Sequence, residues 1–198
     1  MHKSGLVKDL IQSLCCLPGV GAKSAQRMAF YLLQRNREGG QQLSQILAKA
    51  MLEVGECQTC RTLTEQNLCE ICSNPLRDNH TLCIVESPAD AWIIDQATQF
   101  NGKYFILHGR LSPLDGIGPE QLGINQLELQ LKTGEIKEII LATNSTVEGQ
   151  ATAHFISEIA SKHQIKASRI AHGIPMGGEL EFIDSSTLSY AFQDRRQL

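Results

Sequence analysis

The apolar positions in the first third of the chain recur at helical spacing. Residues 6–17 carry this pattern, and it breaks at the Pro-Gly pair that follows. Helical spacing returns over residues 22–33 and, after a predicted turn at 36–40, over residues 41–54. The pattern therefore predicts three helices, the first two of which are joined by a tight turn.

From residue 81 onward, short apolar runs alternate with helical spacing. The runs LCIV, KYFILHG, IKEIILAT and KASRIAHGI predict four strands, and helices are predicted over 89–100 and 151–162. This alternation indicates a parallel sheet with helices on its faces. The final segment, ELEFIDSSTLSYAFQDRRQL, predicts one more strand and a helix that begins at Asp184 or Ser185.

The composition is that of a globular protein with no membrane-spanning segment. Of the 198 residues, 42% are hydrophobic and 20% are charged. No apolar run reaches the roughly 18 residues that a membrane helix needs. The first ten residues contain no apolar stretch of signal-peptide length, so we expect a cytoplasmic protein that does not bind membranes.

Charge is distributed unevenly along the chain. Residues 1–53 carry seven basic and three acidic side chains, net +4, whereas the remainder carries 11 basic and 18 acidic side chains, net −7. A basic front suggests an end that binds polyanions, and an acidic back suggests an end that binds a partner or a metal. Charge alone leaves open that both are ordinary solvated surfaces.

Four of the seven cysteines form two CxxC pairs, Cys57–Cys60 and Cys69–Cys72. An odd number of cysteines without a signal peptide favours reduced thiols and a metal site over disulfides. Four thiolates close a tetrahedral zinc shell and leave no position for water, so we predict one structural Zn²⁺ per chain. Arg61 is expected to ease the charge of the thiolates. A redox pair and unbound cysteines are the alternatives. The other cysteines are expected to fill core positions: Cys15, Cys16 and Cys83.

The turn between the first two helices has the features of a phosphate-binding site. In LPGVGAKSAQRMA, Gly19 and Gly21 let the main chain approach a phosphate, and the N–H groups that start the next helix lack partners. Lys23 and Arg27 lie four residues apart and add positive charge on one face. This stretch resembles the helix-hairpin-helix motif of DNA-repair proteins, which binds phosphates without reading sequence. An ordinary helical hairpin is the alternative.

A strand-end acid and a later loop resemble the metal site of the Toprim domain shared by topoisomerases and primases. That family pairs a strand-end Glu with an Asp-x-Asp, and the carboxylates hold Mg²⁺ for phosphoryl transfer. Glu86 follows LCIV and matches the first position. Asn144 and Thr146 stand where the two aspartates would be, followed by Glu148. With so few charges, only loose cation binding is expected there.

The order of these features resembles the RecR family of bacterial recombination mediator proteins over essentially all 198 residues. Further stretches typical of that family are HGRLSPLDGIGPEQL, ATNSTVEGQATA and RIAHGIPMGGELEFID. The resemblance implies a multidomain α+β protein with four parts: an N-terminal helix-hairpin-helix domain over 1–55, a small four-cysteine zinc finger over 56–79, an α/β Toprim domain with a parallel sheet over 80–175, and a C-terminal Walker B-like strand and helix over 176–198 that contacts another subunit.

The resemblance also implies a function. RecR-like proteins are not enzymes; they form ring-like homo-oligomers, commonly tetramers, that bind DNA without regard to sequence. They act with RecO, and with RecF in many bacteria, to help load RecA on single-stranded DNA coated by single-strand-binding protein during repair. No GxxxxGK[ST] motif accompanies the Walker B-like strand, so ATP hydrolysis is not predicted.

Residue roles carry over from the family by position. The implied DNA contacts, which would face the interior of the ring, are Gly19, Gly21, Lys23 and Arg27. The implied contacts with RecO are Glu86, Asn144 and Glu148. The alternative is a Mg²⁺-dependent nuclease or primase that uses Glu86, Asp90 and Glu148.

Overall fold

The computed structural model describes residues 5–171, 173–193 and 195. The chain divides into two compact units, and the boundary between them in the sequence lies between Val54 and Gly55. Lys3, one of the basic residues counted above, and His172, in the predicted fourth strand, lie outside the described residues. In the part of the chain that the structure describes, no helix is long and apolar enough to cross a membrane.

The first unit consists of three helices: α1 Leu6–Leu14, α2 Ala22–Gln34 and α3 Arg37–Glu53. All three predicted helices are present, but α3 begins within the segment that was predicted to be a turn. The reason is a cap: the Asn36 side chain accepts a hydrogen bond from the Gly39 N–H at 2.9 Å. This bond satisfies an amide at the start of the helix and so lets two glycines lie in its first turn.

Few side chains of this first unit are buried. Among its described residues, Ala25 and Ala29 on α2 alone are fully covered. Large apolar side chains on α3, such as Ile46 and Met51, are 59% and 73% exposed. Two alanines bury little apolar area, so the unit has a small core of its own and an unusually apolar surface.

The second unit begins with a small antiparallel pair of strands and a short helix. These elements are β1 Gly55–Glu56, β2 Leu63–Thr64 and α4 Glu70–Ser73. They enclose the four clustered cysteines, which form a small buried group of their own.

A parallel sheet follows, as predicted. Its strands are β3 Thr81–Val85, β4 Lys103–Ile106, β5 Glu138–Ala142 and β6 Lys166–Arg169, in the order β4-β3-β5-β6. The helices are α5 Pro88–Ala97, α6 Ile124–Leu131 and α7 Val147–Lys162. Helix α6 was not predicted from the sequence.

Alternate residues of the sheet pack on opposite faces. Ile84, Phe105 and Ile139 belong to the larger core, which α6 and α7 complete. Val85 and Ile106 belong to a smaller core that includes residues of α5. Strands buried on both faces explain the nearly continuous apolar runs of the sequence. Cys83 is buried in the smaller core as predicted, whereas Cys16 is exposed, so the core prediction for Cys16 was wrong.

The predicted strand ELEFID is absent. Leu180–Phe182 forms one turn of 3-10 helix, and Phe182 is 78% exposed. A strand needs a neighbour for its N–H and C=O groups, and within the described residues the parallel sheet contains only β3 to β6. The predicted helix is present as α8 Ser185–Gln193, and Asp184 caps it by accepting from the Thr187 N–H at 2.9 Å.

Candidate metal centre and nucleic-acid interface

The four cysteines of the two CxxC pairs converge on one point. All four are buried, and their sulfur atoms lie within 4.8 Å of one another. The Sγ atoms of Cys60 and Cys69 are 3.5 Å apart. Four sulfurs about 2.3 Å from a zinc ion would lie about 3.8 Å from one another, so these spacings fit a tetrahedral zinc shell.

The surroundings of the sulfurs favour a cation among them. Although burial opposes it, N–H groups donated by Cys60, Cys69 and Thr59 lower the pKa of Cys57 to about 6. Burial raises the pKa of Cys69 to about 11, and a bond to the Cys72 thiol together with burial raises the pKa of Cys60 far above its usual range. Four thiolates can coexist here only when a metal neutralises them. The donor set therefore fits one structural zinc per chain, held by all four cysteines.

The sequence suggested that Arg61 eases the charge of the thiolates, but its hydrogen bonds are directed elsewhere. Its Nη1 donates to three main-chain oxygens: Ile106 at 3.0 Å, Leu107 at 3.4 Å and Leu122 at 2.6 Å. The guanidinium also lies over the Phe105 ring, 5.8 Å from its centroid. Arg61 thus joins the cysteine module to the end of strand β4 and to the loop before α6.

Other bonds hold the first CxxC pair against the same region. The Ile106 N–H donates to the Cys60 carbonyl at 2.9 Å, which covers the free edge of β4. From α6, the side chains of Gln126 and Gln130 donate to the carbonyls of Gln58 and Thr59, each at 2.6 Å. The metal module is therefore a fixed part of the second unit.

Glu86 and Asn144 meet at the carboxyl ends of strands β3 and β5. Glu86 is buried, and Asn144 contacts both of its carboxylate oxygens. The Asn144 main-chain N–H donates to Oε1 at 2.8 Å, and the side-chain Nδ2 donates to Oε2 at 2.7 Å. A carboxylate accepts only, so the amide nitrogen must face Glu86. Asn144 satisfies the carboxylate in the place where the Toprim pattern has a metal-binding aspartate.

The other acids of the alternative catalytic set are not gathered around Glu86. Asp90 caps α5 by accepting from the Ser87 N–H and hydroxyl at 2.9 and 2.7 Å. Glu148 is half-buried in the first turn of α7. Among the described residues, the only group of three or more His, Cys, Asp or Glu side chains close enough to share a metal is the four-cysteine cluster.

Two arginines stand near Glu86 and Asn144, and the sequence did not point to either. Arg110 Nη1 is 4.0 Å from Glu86 Oε2, and Arg169 Nη2 donates to the Asn144 carbonyl at 3.4 Å. Arg110 follows strand β4 and Arg169 is the last residue of β6, and the carboxyl ends of these two parallel strands lie at the same end of the sheet. Only the strand order could have revealed them.

The turn between α1 and α2 has the geometry expected of a phosphate-binding loop. Gly19 has φ +78°, a conformation that favours glycine, and the Val20 N–H closes the turn on the Leu17 carbonyl at 3.1 Å. Gly21 precedes α2 and offers no side-chain cap, so the first amides of the helix remain available for a ligand. Lys23 and Arg27 are exposed.

Helix α2 separates its charged and buried positions. Ala25 and Ala29 face inward, while Lys23 and Arg27, each two residues earlier, lie roughly on the opposite side of the helix. The amides and the two cations are thus presented on solvent-facing surface of the N-terminal half of α2. This arrangement can bind phosphate oxygens.

Known family models match nearly the whole chain in consecutive segments. The RecR helix-hairpin-helix model matches residues 7–51, and the model of the RecR four-cysteine zinc finger domain matches 54–74. The Toprim domain model matches 80–171, and the RecR C-terminal model matches 173–196.

Fold, metal site and matched segments define a protein built from a helix-hairpin-helix, a four-cysteine zinc finger and a Toprim domain. Since three RecR models match in chain order, with the Toprim model between the second and the third, the chain belongs to the RecR family. Membership places it in DNA repair and recombination, supports a recombination-mediator role with DNA binding and oligomerisation, and is consistent with a non-catalytic protein.

Proposed function

We propose that this protein is a non-catalytic recombination mediator. It binds DNA independently of sequence as a ring-like homo-oligomer, a tetramer, and acts with RecO and RecF. Together they help RecA load on single-stranded DNA coated by single-strand-binding protein. Its work takes place in the cytoplasm, where the thiols stay reduced.

One observation carries the non-catalytic part of this proposal. The Glu86 carboxylate already accepts two hydrogen bonds from Asn144, at 2.8 and 2.7 Å. Mg²⁺ chemistry on phosphodiesters needs several carboxylates around one ion. A neutral amide that occupies the carboxylate favours a binding surface over a catalytic metal site.

The DNA contacts we propose are Gly19, Gly21, Lys23 and Arg27. Open amides at the start of α2 and two exposed cations next to them suit the phosphate backbone and carry no means of distinguishing bases. The charge of the first 53 residues, net +4, points the same way.

The oligomer follows from exposed apolar surface. Helices α1 and α3 contain no buried residue, and side chains such as Leu43 and Met51 are left open. Large apolar side chains exposed in such number are typical of an interface. The exposed tail around Phe182 offers a second surface for a neighbouring subunit.

For the contact with RecO we propose Asn144 and Glu148, supported by Glu86. Glu86 is 6% exposed, so it positions the loop, whereas Asn144 is exposed and Glu148 is half-buried. Glu148 supplies the negative charge that a basic partner surface would meet.

The decisive experiment combines binding, mass and chemistry. Zinc-loaded protein is incubated with labelled single-stranded and gapped DNA in Mg²⁺ or Mn²⁺, and oligomer mass is measured by light scattering with and without DNA. We expect binding, a mass near four chains and intact DNA. RecA assembly on DNA coated by single-strand-binding protein should accelerate only when RecO is also present.

The nuclease or primase alternative is tested in the same reactions. DNA cleavage or synthesis that disappears in Glu86→Ala but persists in Glu158→Ala, an exposed acid on α7, would establish it. A monomeric mass under all conditions would refute the ring.

A further inference from the structure

A groove of about 390 Å³ runs beside strand β2 of the zinc module. Its lining comes from β2 and the turn after it, from the start of α4 and from α5, namely residues 62–66, 69–71 and Trp92. No residue of β1 lines it. Neither Glu86 nor Asn144 lines it.

Two of the large apolar side chains that line this groove remain open to solvent. Trp92 is 64% exposed, and Leu63 on β2 is 61% exposed. A solvent-exposed tryptophan near other apolar groups is typical of a contact surface, because tryptophan supplies a large rigid contact area.

The charges around the groove select its occupant. Glu65 and Glu70 line it and are exposed, and none of the described lining residues is Lys or Arg. Two carboxylates repel phosphates and attract cationic side chains. The Trp92 ring adds a face on which a guanidinium or ammonium group can lie. Nucleic acid is therefore disfavoured, and a basic peptide is favoured.

The backbone of β2 adds a shape requirement. In the described part of the chain β2 pairs with β1 alone, so one edge of its main chain is free of strand partners. A segment that lies along such an edge is extended, and its alternate side chains point to opposite sides. Alternating basic and apolar side chains would match the carboxylates and the apolar groups of this groove.

We propose that the groove between β2 and Trp92 is a docking site for an extended segment of another protein in which Arg or Lys alternates with apolar residues. This site goes beyond the proposed DNA and RecO contacts, and its binding does not require either of them.

The test uses a fluorescein-labelled synthetic peptide of alternating Arg and Leu, about nine residues long. Trp92 is the only tryptophan of the chain, so its emission reports on the groove directly. On addition of peptide we expect a blue shift and about twofold less quenching by acrylamide, since Trp92 becomes covered. In Trp92→Ala, peptide affinity measured by anisotropy should fall about tenfold.

Further variants test the role of charge in peptide binding and the location of the peptide site. Glu65→Gln with Glu70→Gln should weaken binding about fivefold and reduce its salt dependence. Leu129→Ala, an equally exposed apolar residue on α6, should change nothing. Lys23→Ala with Arg27→Ala should also leave peptide binding unchanged, which separates this site from the DNA site.

Several outcomes would overturn the proposal. Equal binding of an alternating Glu and Leu peptide would reduce the groove to nonspecific apolar contact. Protection of Trp92 by single-stranded DNA would make it a base-stacking surface. A lower oligomer mass in Trp92→Ala would assign the groove to contacts between copies of this chain. Unchanged peptide affinity in Trp92→Ala would remove the site altogether.

Discussion

The side-chain amide of Asn144 donates to the carboxylate of Glu86, with Nδ2 2.7 Å from Oε2. The same residue also donates its main-chain N–H to Oε1, so a single residue after β5 satisfies a buried acid after β3. This bond links two neighbouring strands at the edge of the sheet where ligands of α/β proteins gather.

Replacing this amide by an acid should make the site depend on metal. Asn144→Asp places a second carboxylate against Glu86, and we expect the free energy of unfolding to fall by about 2 kcal/mol in the absence of divalent cations. Millimolar Mg²⁺ should restore part of that loss, as measured by denaturant unfolding with and without the ion. Asn125→Asp, on the exposed start of α6, should be unaffected. Equal stability of both variants would contradict the importance of the bond.

Gly149 should not tolerate a methyl group. A Cβ there would overlap the Asn144 carbonyl oxygen and lie 3.0 Å from Glu86 Oε1. We expect Gly149→Ala to lower the free energy of unfolding by about 3 kcal/mol, since main chain has to move. Gly40→Ala in α3 is the control: its Cβ meets only Leu32 at 3.6 Å, so it should be neutral or stabilising by about 0.5 kcal/mol.

The cations of α2 should govern the salt dependence of DNA binding. Lys23→Ala with Arg27→Ala should weaken binding to single-stranded DNA and lower the slope of log affinity against log salt by about 1.4, because each phosphate that is no longer neutralised removes about 0.7. Lys132→Ala with Lys162→Ala removes the same charge from exposed positions of the second unit. If both double variants changed the slope equally, the effect would be one of net charge.

A substitution at Gly123, next to the Arg61 guanidinium, tests how much the hydrogen bonds of Arg61 contribute to stability. Gly123 has φ +70°, and a Cβ there would overlap Arg61 Nη1; Gly134 has φ +75° and nothing within 4 Å. Both alanine variants carry the backbone strain, but Gly123→Ala should be less stable by about a further 2 kcal/mol. It should also release zinc faster to a colorimetric chelator. Identical unfolding curves would mean that Arg61 contributes nothing.

Loss of one cysteine ligand should empty the metal site. Cys72→Ser should reduce zinc from one per chain to near zero by metal analysis and lower the thermal midpoint, because four ligands close the shell. Cys16→Ser changes an exposed thiol outside the cluster and should retain its zinc. Clearly less than one zinc per chain in the unaltered protein, purified without chelators, would refute the site.

Features set by spacing within one segment were predictable from the sequence. The two CxxC pairs, the Pro-Gly-x-Gly turn and the apolar runs of the sheet depend on neighbours a few residues away. The bond between Asn144 and Glu86 joins residues that are 58 positions apart in the sequence. The contacts of Arg61 span 45 to 61 positions. Only the assembled fold brings such residues together.

Two local predictions were wrong for physical reasons. ELEFID has the composition of a strand, but a strand also requires a partner, and none lies beside it in the described residues. Two glycines suggested a turn at 36–40, but the Asn36 cap let the helix include them. In the first case a missing hydrogen-bond partner outweighed the intrinsic preference of the residues, and in the second case an added partner did.

The docking of Arg61 has a consequence for how the second unit unfolds. The segment of the cysteine module that follows the first CxxC pair is bonded to the sheet in both directions. Arg61 donates to carbonyls at the end of β4 and in the loop before α6, and the Ile106 N–H of β4 donates to the Cys60 carbonyl. Neither side can open without breaking bonds of the other, so sequence modules and folding units do not coincide here. Amide hydrogen exchange at the Ile106 end of β4 should accelerate when zinc is withdrawn. The amides around the first CxxC pair should accelerate together with it, as one cooperative unit.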